Sequence, residues 1–213
     1  MTDDLVTIRR DILEAALTHV AFDGWTENLL AQAVADLGLD PSYGRRAFAA
    51  GVTDLLAFFM AEADRRMLAA LEAADLADLG VRARVALAIR LRFDAHLAHR
   101  EAIRRAIAIL AMPHNAPLAA KALYRTVDAI WHGIGDRSVD FNFYSKRALL
   151  AGVYSTTLMR WLNDQSEGQQ ATWDFLDRRL ADVMRIEKTK KRLGDLADRL
   201  PDPTGILRRI RRI

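Results

Sequence analysis

Residues 24–51, GWTENLLAQAVADLGLDPSYGRRAFAAG, decide the fold class. Thr26 is a hydroxyl N-cap ahead of an apolar stripe of Leu29, Leu30, Ala33, Val34 and Leu37, and Gly38 closes that helix. Asp40 then caps a second short helix with Pro41 at its first position, where the missing N–H costs nothing. Upstream, VTIRRDILEAALTHVAFDG places Ile8, Ile12, Leu13, Ala16, Leu17 and Val20 at helical spacing as far as Gly24; downstream, VTDLLAFFMAEADRRMLAALEAAD reads as a longer helix. Three short helices followed by a long one are the layout of a helix-turn-helix head joined to a body.

The rest of the chain continues in the same way. Helices are expected over 81–97, 99–112, a stretch after Pro113 and Pro117 that runs to about His132, 140–163, and from about Gln169 until Pro201 stops the last one. No strand pattern or internal repeat interrupts them. Of 213 residues 51% are hydrophobic, with 5 prolines and 11 glycines, which suits a helical core. Cysteine is absent, so a disulfide framework, a zinc ribbon and a thiol nucleophile are excluded. The expected class is all-α, with a head at 1–51, a helical body at 52–187 and a basic amphipathic segment at 188–213.

Charge divides the chain. From Arg185 to Ile213 ten basic residues face four acids, a surplus of +6, so the net +3 leaves −3 on everything before it. In the last stretch Ile206, Leu207, Ile210 and Ile213 fall on one side of a helical wheel, with Arg208, Arg209, Arg211 and Arg212 opposite. Leu193, Leu196 and Leu200 extend an apolar stripe ahead of them. A basic amphipathic segment of this kind suits an anionic membrane surface, and a solvated tail or one docked on its own body is the other reading. No run approaches the ~20 apolar residues that span a bilayer. The opening MTDDLVTIRRDILEAA is acidic and then amphipathic, unlike a secretory signal or an acid-poor transit peptide. The expectation is a bacterial cytoplasmic protein peripheral to the inner membrane, or a matrix protein in a eukaryote.

Catalytic motifs are scarce. No Gly-x-Ser-x-Gly elbow or phosphate loop occurs, and Gly133-Ile134-Gly135 follows a helix rather than a strand. His96 with His99, and Asp128 with His132, sit at spacings that could ligate a cation only if a third ligand met them. Neither an enzyme nor a metal site is expected.

The head resembles that of TetR-type regulators in its Gly24-Trp25 pair, its Thr-capped second helix, its Gly38 turn and its short third helix ending at Phe48. It departs from them at Tyr43-Gly44-Arg45 and in lacking the Lys after the Phe; Arg45 and Arg46 are a thin footprint for reading bases. DNA is not the expected partner, and a ligand-responsive transcriptional regulator is the alternative function. A TetR-like body often encloses an apolar ligand cavity. The candidates to line one are Phe59, Met60, Met67, Leu87, Leu91, Ile103, Ile107, Leu110, Leu123, Val127 and Trp131. Their composition is common to a filled core and a hollow one. Ala148, Gly152 and Ser155 give the helix beginning near Asp140 a face of small residues, suited to a symmetric partner or to packing within the chain. Trp173, Leu176 and Leu180 on the following helix would complete a homodimer seam.

Residues 135–166, GDRSVDFNFYSKRALLAGVYSTTLMRWLNDQS, followed by TWDFLDRRLADVM, resemble the ninth ubiquinone (coenzyme Q) biosynthesis protein family. The shared pattern is Gly-Asp-x-Ser-x-Asp-Phe-Asn-aromatic-Tyr, a basic pair, a loop approximated by Asn163-Asp164-Gln165-Ser166, and Thr-Trp-x-Phe-Leu. The resemblance implies a non-enzymatic homodimer with a TetR-like fold. It would bind isoprenoid lipid or phospholipid without any other cofactor, meet the membrane by its C-terminal helix, and assist the di-iron demethoxyubiquinone hydroxylase. It also implies a hydroxylase contact at Asp140, Phe143 and Tyr144, to which Asn142, Lys146 and Arg147 are added by adjacency. Phe143 stands where the family usually has Trp, keeping a ring and losing an indole donor. Rings beside charges on a first helical turn have the make-up of an interface hot spot. The other reading packs the rings inward and leaves only the charges outside.

Overall fold

A computed structural model describes the backbone of residues 2–136 and 141–197, and the side chains of residues 4–136 and 144–185. All regular structure among them is helical: α1 Thr2–Asp23, α2 Glu27–Asp36, α3 Pro41–Ala47, α4 Val52–Glu72, α5 Val81–Asp94, α6 Arg100–Leu110, α7 Ala116–Gly133, α8 Phe141–Leu162 and α9 Gln170–Ala197. The capping read from the sequence is made. The Thr26 hydroxyl accepts from Leu29 N at 3.1 Å, and the Asp40 carboxylate accepts from Ser42 N at 2.8 Å. The expected helices over 81–97 and 99–112 end earlier and begin later than the pattern suggests. His96 N bonds the Phe93 carbonyl at 3.0 Å and His99 N bonds the His96 carbonyl at 2.9 Å, tightening the chain into a 3₁₀ turn.

Head and body share one apolar core that runs from Ile12 in α1 to Leu180 in α9. Trp25 links them: its ring lies 5.1 Å from that of Phe59 on α4, and its indole N–H donates to the Ala102 carbonyl on α6 at 3.0 Å while fully enclosed. Gly51, at φ 61°, starts α4 against Glu27, whose carboxylate accepts from Val52 N at 2.8 Å. A side chain at Gly51 would displace that carboxylate. Gly44, costly to helix propensity in α3, has a packing reason: a Cβ there would lie 3.0 Å from Val34 Cγ2 on α2. The sequence boundary after residue 51 coincides with the start of α4, whereas the one after 187 falls inside α9.

The body's far end is tied by side chains that close helix termini. Arg100 donates to the carbonyls of Trp161 and Asp164, and Arg104 donates to that of Leu162 at 2.7 Å, so α6 caps the C-terminus of α8. The Asp164 carboxylate then accepts from Ser166 N at 2.8 Å, Ser166 Oγ at 2.7 Å, Thr172 N at 2.7 Å and Thr172 Oγ1 at 2.5 Å, opening α9. Burial pushes its carboxyl up, but these four donors outweigh that and hold it well below the usual carboxylate range. The Asp164, Ser166 and Thr172 positions of the family-like motif therefore build a helix junction.

Candidate ligand-binding and partner-binding site

The segment with the most unusual sequence opens α8. Tyr144 is 71% exposed, while the basic pair after it is held by α7 and the turn beyond it. Arg147 is buried and gives both Nε, at 2.8 Å, and Nη2, at 2.6 Å, to Asp128. Lys146 lies 3.3 Å from Asp136 and 5.5 Å from the centre of the Trp131 ring. Arg147 is thus a brace between α7 and α8 rather than a surface charge. Asp140 lies outside the described residues; Asn142 and Phe143 are on α8, with side chains outside them.

Two apolar pockets flank α8. One, of about 370 Å³, lies between the start of α5, the end of α7, α8 and α9; Val81, Val85, Trp131, Leu149, Leu150, Val153, Leu180, Val183 and Met184 form its walls, with Lys146 and Asp136 at the end nearest the opening of α8. The other, of about 230 Å³, lies among α4, α6, α7 and α8 and is walled by Phe59, Met60, Ile103, Ile107, Leu110, Leu123, Leu158 and Met159. Six of the eleven residues expected to line a cavity therefore meet in the second pocket (Phe59, Met60, Ile103, Ile107, Leu110 and Leu123), and Trp131 joins the first. Met67 and Val127 are fully packed core, and the half-buried Leu87 and Leu91 line neither pocket.

The second pocket has a polar wall that the sequence pattern did not reveal. Arg92, 7% exposed, donates from Nε to Asp64 Oδ1 at 2.9 Å, from Nη1 to the Tyr154 hydroxyl at 2.6 Å and from Nη2 to Thr126 Oγ1 at 3.3 Å. Thr126 Oγ1 donates to Asp64 Oδ1 at 2.8 Å, and Arg125 Nε reaches the other oxygen at 2.9 Å. Burial pushes the Tyr154 phenol above its usual range, so it keeps its proton. His96 is almost wholly enclosed. Burial first and the Arg92 charge second lower it to about 4, so it is neutral at pH 7. Arg92, His96, Thr126 and Tyr154 all line this pocket, and no local signal singles them out, since Arg90 and Asp94 flank Arg92, Arg125 precedes Thr126 and Ser155 follows Tyr154.

The remaining candidates separate. Trp173, Leu176 and Leu180, expected in a dimer seam, are 7%, 0% and 7% exposed in a single chain. This is a correction: α9 lays its apolar stripe on α5 and α8, and the Trp173 ring stacks 6.3 Å from Phe93. Ala148 and Gly152 are exposed, and Ser155 lines the second pocket. Leu193 and Leu196 are on α9 with side chains outside the described residues; Leu200, Ile206, Leu207, Arg208, Arg209, Ile210, Arg211, Arg212 and Ile213 lie beyond the described residues altogether. Of the histidine pairs, His96 Nδ1 is bonded to the Arg92 carbonyl and Asp128 is taken by Arg147. Among the described residues no three His, Asp or Glu side chains gather as a metal site, and no helix is long and apolar enough to cross a membrane.

Residues 116–187, from the start of α7 into α9, match the model of the COQ9 family. The chain is 34% identical over 200 residues to the ubiquinone biosynthesis protein COQ9, mitochondrial, of Rattus norvegicus, covering 91% of this chain and 64% of that one. It is 32% identical to the Homo sapiens protein of the same name, covering 91% and 63%. The chain thus spans a little under two thirds of the length of these relatives. Its fold matches the crystal structure of the TetR transcriptional regulator from Nitrosomonas europaea with a TM-score of 0.68 at 24% identity, over 82% of this chain and 97% of that one. The resemblance read from the sequence is thereby shown: along nine-tenths of its length the chain is a relative of the COQ9 proteins, on the helical fold of a TetR regulator.

Proposed function

We propose that this protein is a non-enzymatic accessory of ubiquinone biosynthesis that holds an isoprenoid quinone intermediate in the pockets flanking α8 and presents it, at a membrane, to the demethoxyubiquinone hydroxylase. The observation that carries the proposal is the position of those pockets: the larger is walled mainly, and the smaller in part, by residues of 116–187, the segment that matches the COQ9 model, and the larger abuts the opening of α8 where the hydroxylase contact is expected. At about 370 and 230 Å³ they suit a head or a few prenyl units rather than a whole polyprenyl chain, since sites for complete drug-sized ligands run from about 300 to 1,000 Å³. The rest of the chain would lie along the surface or stay in the bilayer, lowering the cost of about 0.8 kcal/mol per exposed CH₂. Tyr144 and Phe143 supply the docking rings, and the basic segment from 188 onward, by its composition, supplies the membrane contact. The fold alone links the protein to transcriptional regulators, and the excess positive charge lies at the opposite end of the sequence from the helix-turn-helix-like segment.

Solvent extraction of the freshly purified protein, followed by mass spectrometry of the extract, tests this reading. A stoichiometric isoprenoid quinone or demethoxy precursor is the expected result. A folded protein that yields no lipid, and takes none up from vesicles containing a quinone, overturns it.

A further inference from the structure

Resting on the lipid-binding reading, we propose that the pocket between α4, α6, α7 and α8 recognises the ligand's head as an uncharged, hydroxyl-bearing group, with His96 Nε2 accepting from its hydroxyl and the Tyr154 hydroxyl donating to one of its oxygens.

Hydrogen-bond bookkeeping carries the assignment. His96 Nδ1 lies 3.2 Å from the Arg92 carbonyl, which can only accept; Nδ1 therefore carries the ring proton and Nε2 keeps its lone pair. Among the described residues Nε2 has no partner, nor is it one of the sealed-off buried atoms that lack one, and His96 is part of the pocket wall. With its value lowered to about 4 the ring stays neutral and able to accept near pH 7. Tyr154 has the opposite balance. Its oxygen receives Arg92 Nη1 at 2.6 Å, and no described residue takes its proton. Thr126, between them, is satisfied both ways, donating to Asp64 and accepting from Arg92. A wall otherwise made of Phe59, Leu123, Leu158 and Met159 thus offers one acceptor and one donor.

Charge decides the class of head. A phosphate or carboxylate needs a cation that faces it with donors to give, and Arg92, the one cation in the pocket wall, has its Nε, Nη1 and Nη2 engaged by Asp64, Tyr154 and Thr126, while Arg125, on the other oxygen of Asp64, does not line the pocket. Desolvating an anion beside a neutral imidazole lone pair is unfavourable. An aromatic diol meets both free groups, because each hydroxyl donates and accepts, and the His96 ring, edge-on to Phe59 at 5.5 Å, gives it an aromatic wall.

The test uses the full chain and two probes, geranylhydroquinone and its dimethyl ether, which share a carbon skeleton and chain but differ in hydroxyl protons. Calorimetric titration under anaerobic conditions at pH 7 should give a Kd for the hydroquinone about tenfold below that of the ether, the effect of one buried hydrogen bond. His96→Leu should abolish this preference, bringing the two Kd values together, and His96→Gln, which keeps an acceptor, should restore part of it. Equal affinities in the wild-type protein overturn the proposal while leaving the lipid-binding reading in place, and this comparison needs no variant to fold. A preference that survives in folded His96→Leu overturns the role of His96. Failure of both probes to bind removes the apolar-pocket reading and this inference together.

Discussion

Asp64 and Arg92 are both more than nine-tenths buried, but their neighbours are unequal, and the two truncations should differ in cost. Asp64→Ala removes the carboxylate that answers Arg92. The guanidinium is left enclosed with only the hydroxyls of Tyr154 and Thr126, neither of which carries a compensating charge. An unanswered buried charge costs about 3–5 kcal/mol. Arg92→Met instead leaves Asp64 with Arg125 Nε at 2.9 Å and Thr126 Oγ1 at 2.8 Å, so the loss is closer to that of hydrogen bonds, about 1–3 kcal/mol. Urea unfolding followed by circular dichroism at pH 7 reads both as shifts in midpoint at constant slope. For a chain of this size Asp64→Ala should lower Tm by roughly 6–20 °C. Asp64→Leu combined with Arg92→Met should recover much of that loss, because an apolar pair of similar volume removes the desolvation of both charges. If Arg92→Met costs as much as Asp64→Ala, or Asp64→Ala costs under about 1 kcal/mol, the argument from unequal neighbours fails.

Three further outcomes follow from the same structure. Trp25→Phe keeps the ring against Phe59 and loses the bond to the Ala102 carbonyl, costing about 1 kcal/mol, whereas Trp25→Ala opens a cavity at the head–body junction and costs about 3–5 kcal/mol; thermal unfolding should separate them. Asp164→Ala should cost about 1–2 kcal/mol as a lost cap at neutral pH. Because the folded carboxyl is held below its unfolded value, that stabilisation is complete above the unfolded pKa and fades as pH falls below it, so the gap between wild type and variant should close in acid, as measured by urea midpoints. His96 is lowered in the folded protein to about 4 from 6.5. The unfolded chain therefore binds more protons between those values, and the stabilisation, whole above pH 6.5, is lost as pH falls toward 4. Stability should decline by up to about 1.4 kcal/mol per pH unit in that window from this group, and His96→Leu should flatten that part of the profile.

The helices were readable because apolar spacing, Thr26, Asp40-Pro41 and the punctuating glycines are local signals that act within one or two turns. Six pocket residues were readable because large apolar side chains on the middle helices must face inward somewhere. The polar wall was not. Arg92, Thr126 and Tyr154 each look like ordinary polar positions of a helix, near Arg90, Arg125 and Ser155, and their common destination depends on contacts 28 to 62 residues apart in sequence. Trp173, Leu176 and Leu180 misled for a related reason. An apolar stripe on a helix shows that something covers it, and only packing shows that the cover is the chain's own α5 and α8.

Composition, local periodicity and motif order are enough to establish an all-helical chain, a helix-turn-helix-like head, a basic C-terminal segment and a resemblance that comparison with known proteins upheld. Packing alone shows which apolar residues fill the core and which leave a pocket, that Arg147 is a buried brace from α8 to Asp128 on α7, and that Asp164 serves the α8–α9 junction. It also brought a neutral histidine and a protonated tyrosine to one pocket wall. The physical reason is the same throughout. Periodicity records which face of a helix avoids water, but burial, charge pairing and hydrogen-bond satisfaction are properties of what lies opposite that face, and the opposing residues come from distant parts of the chain.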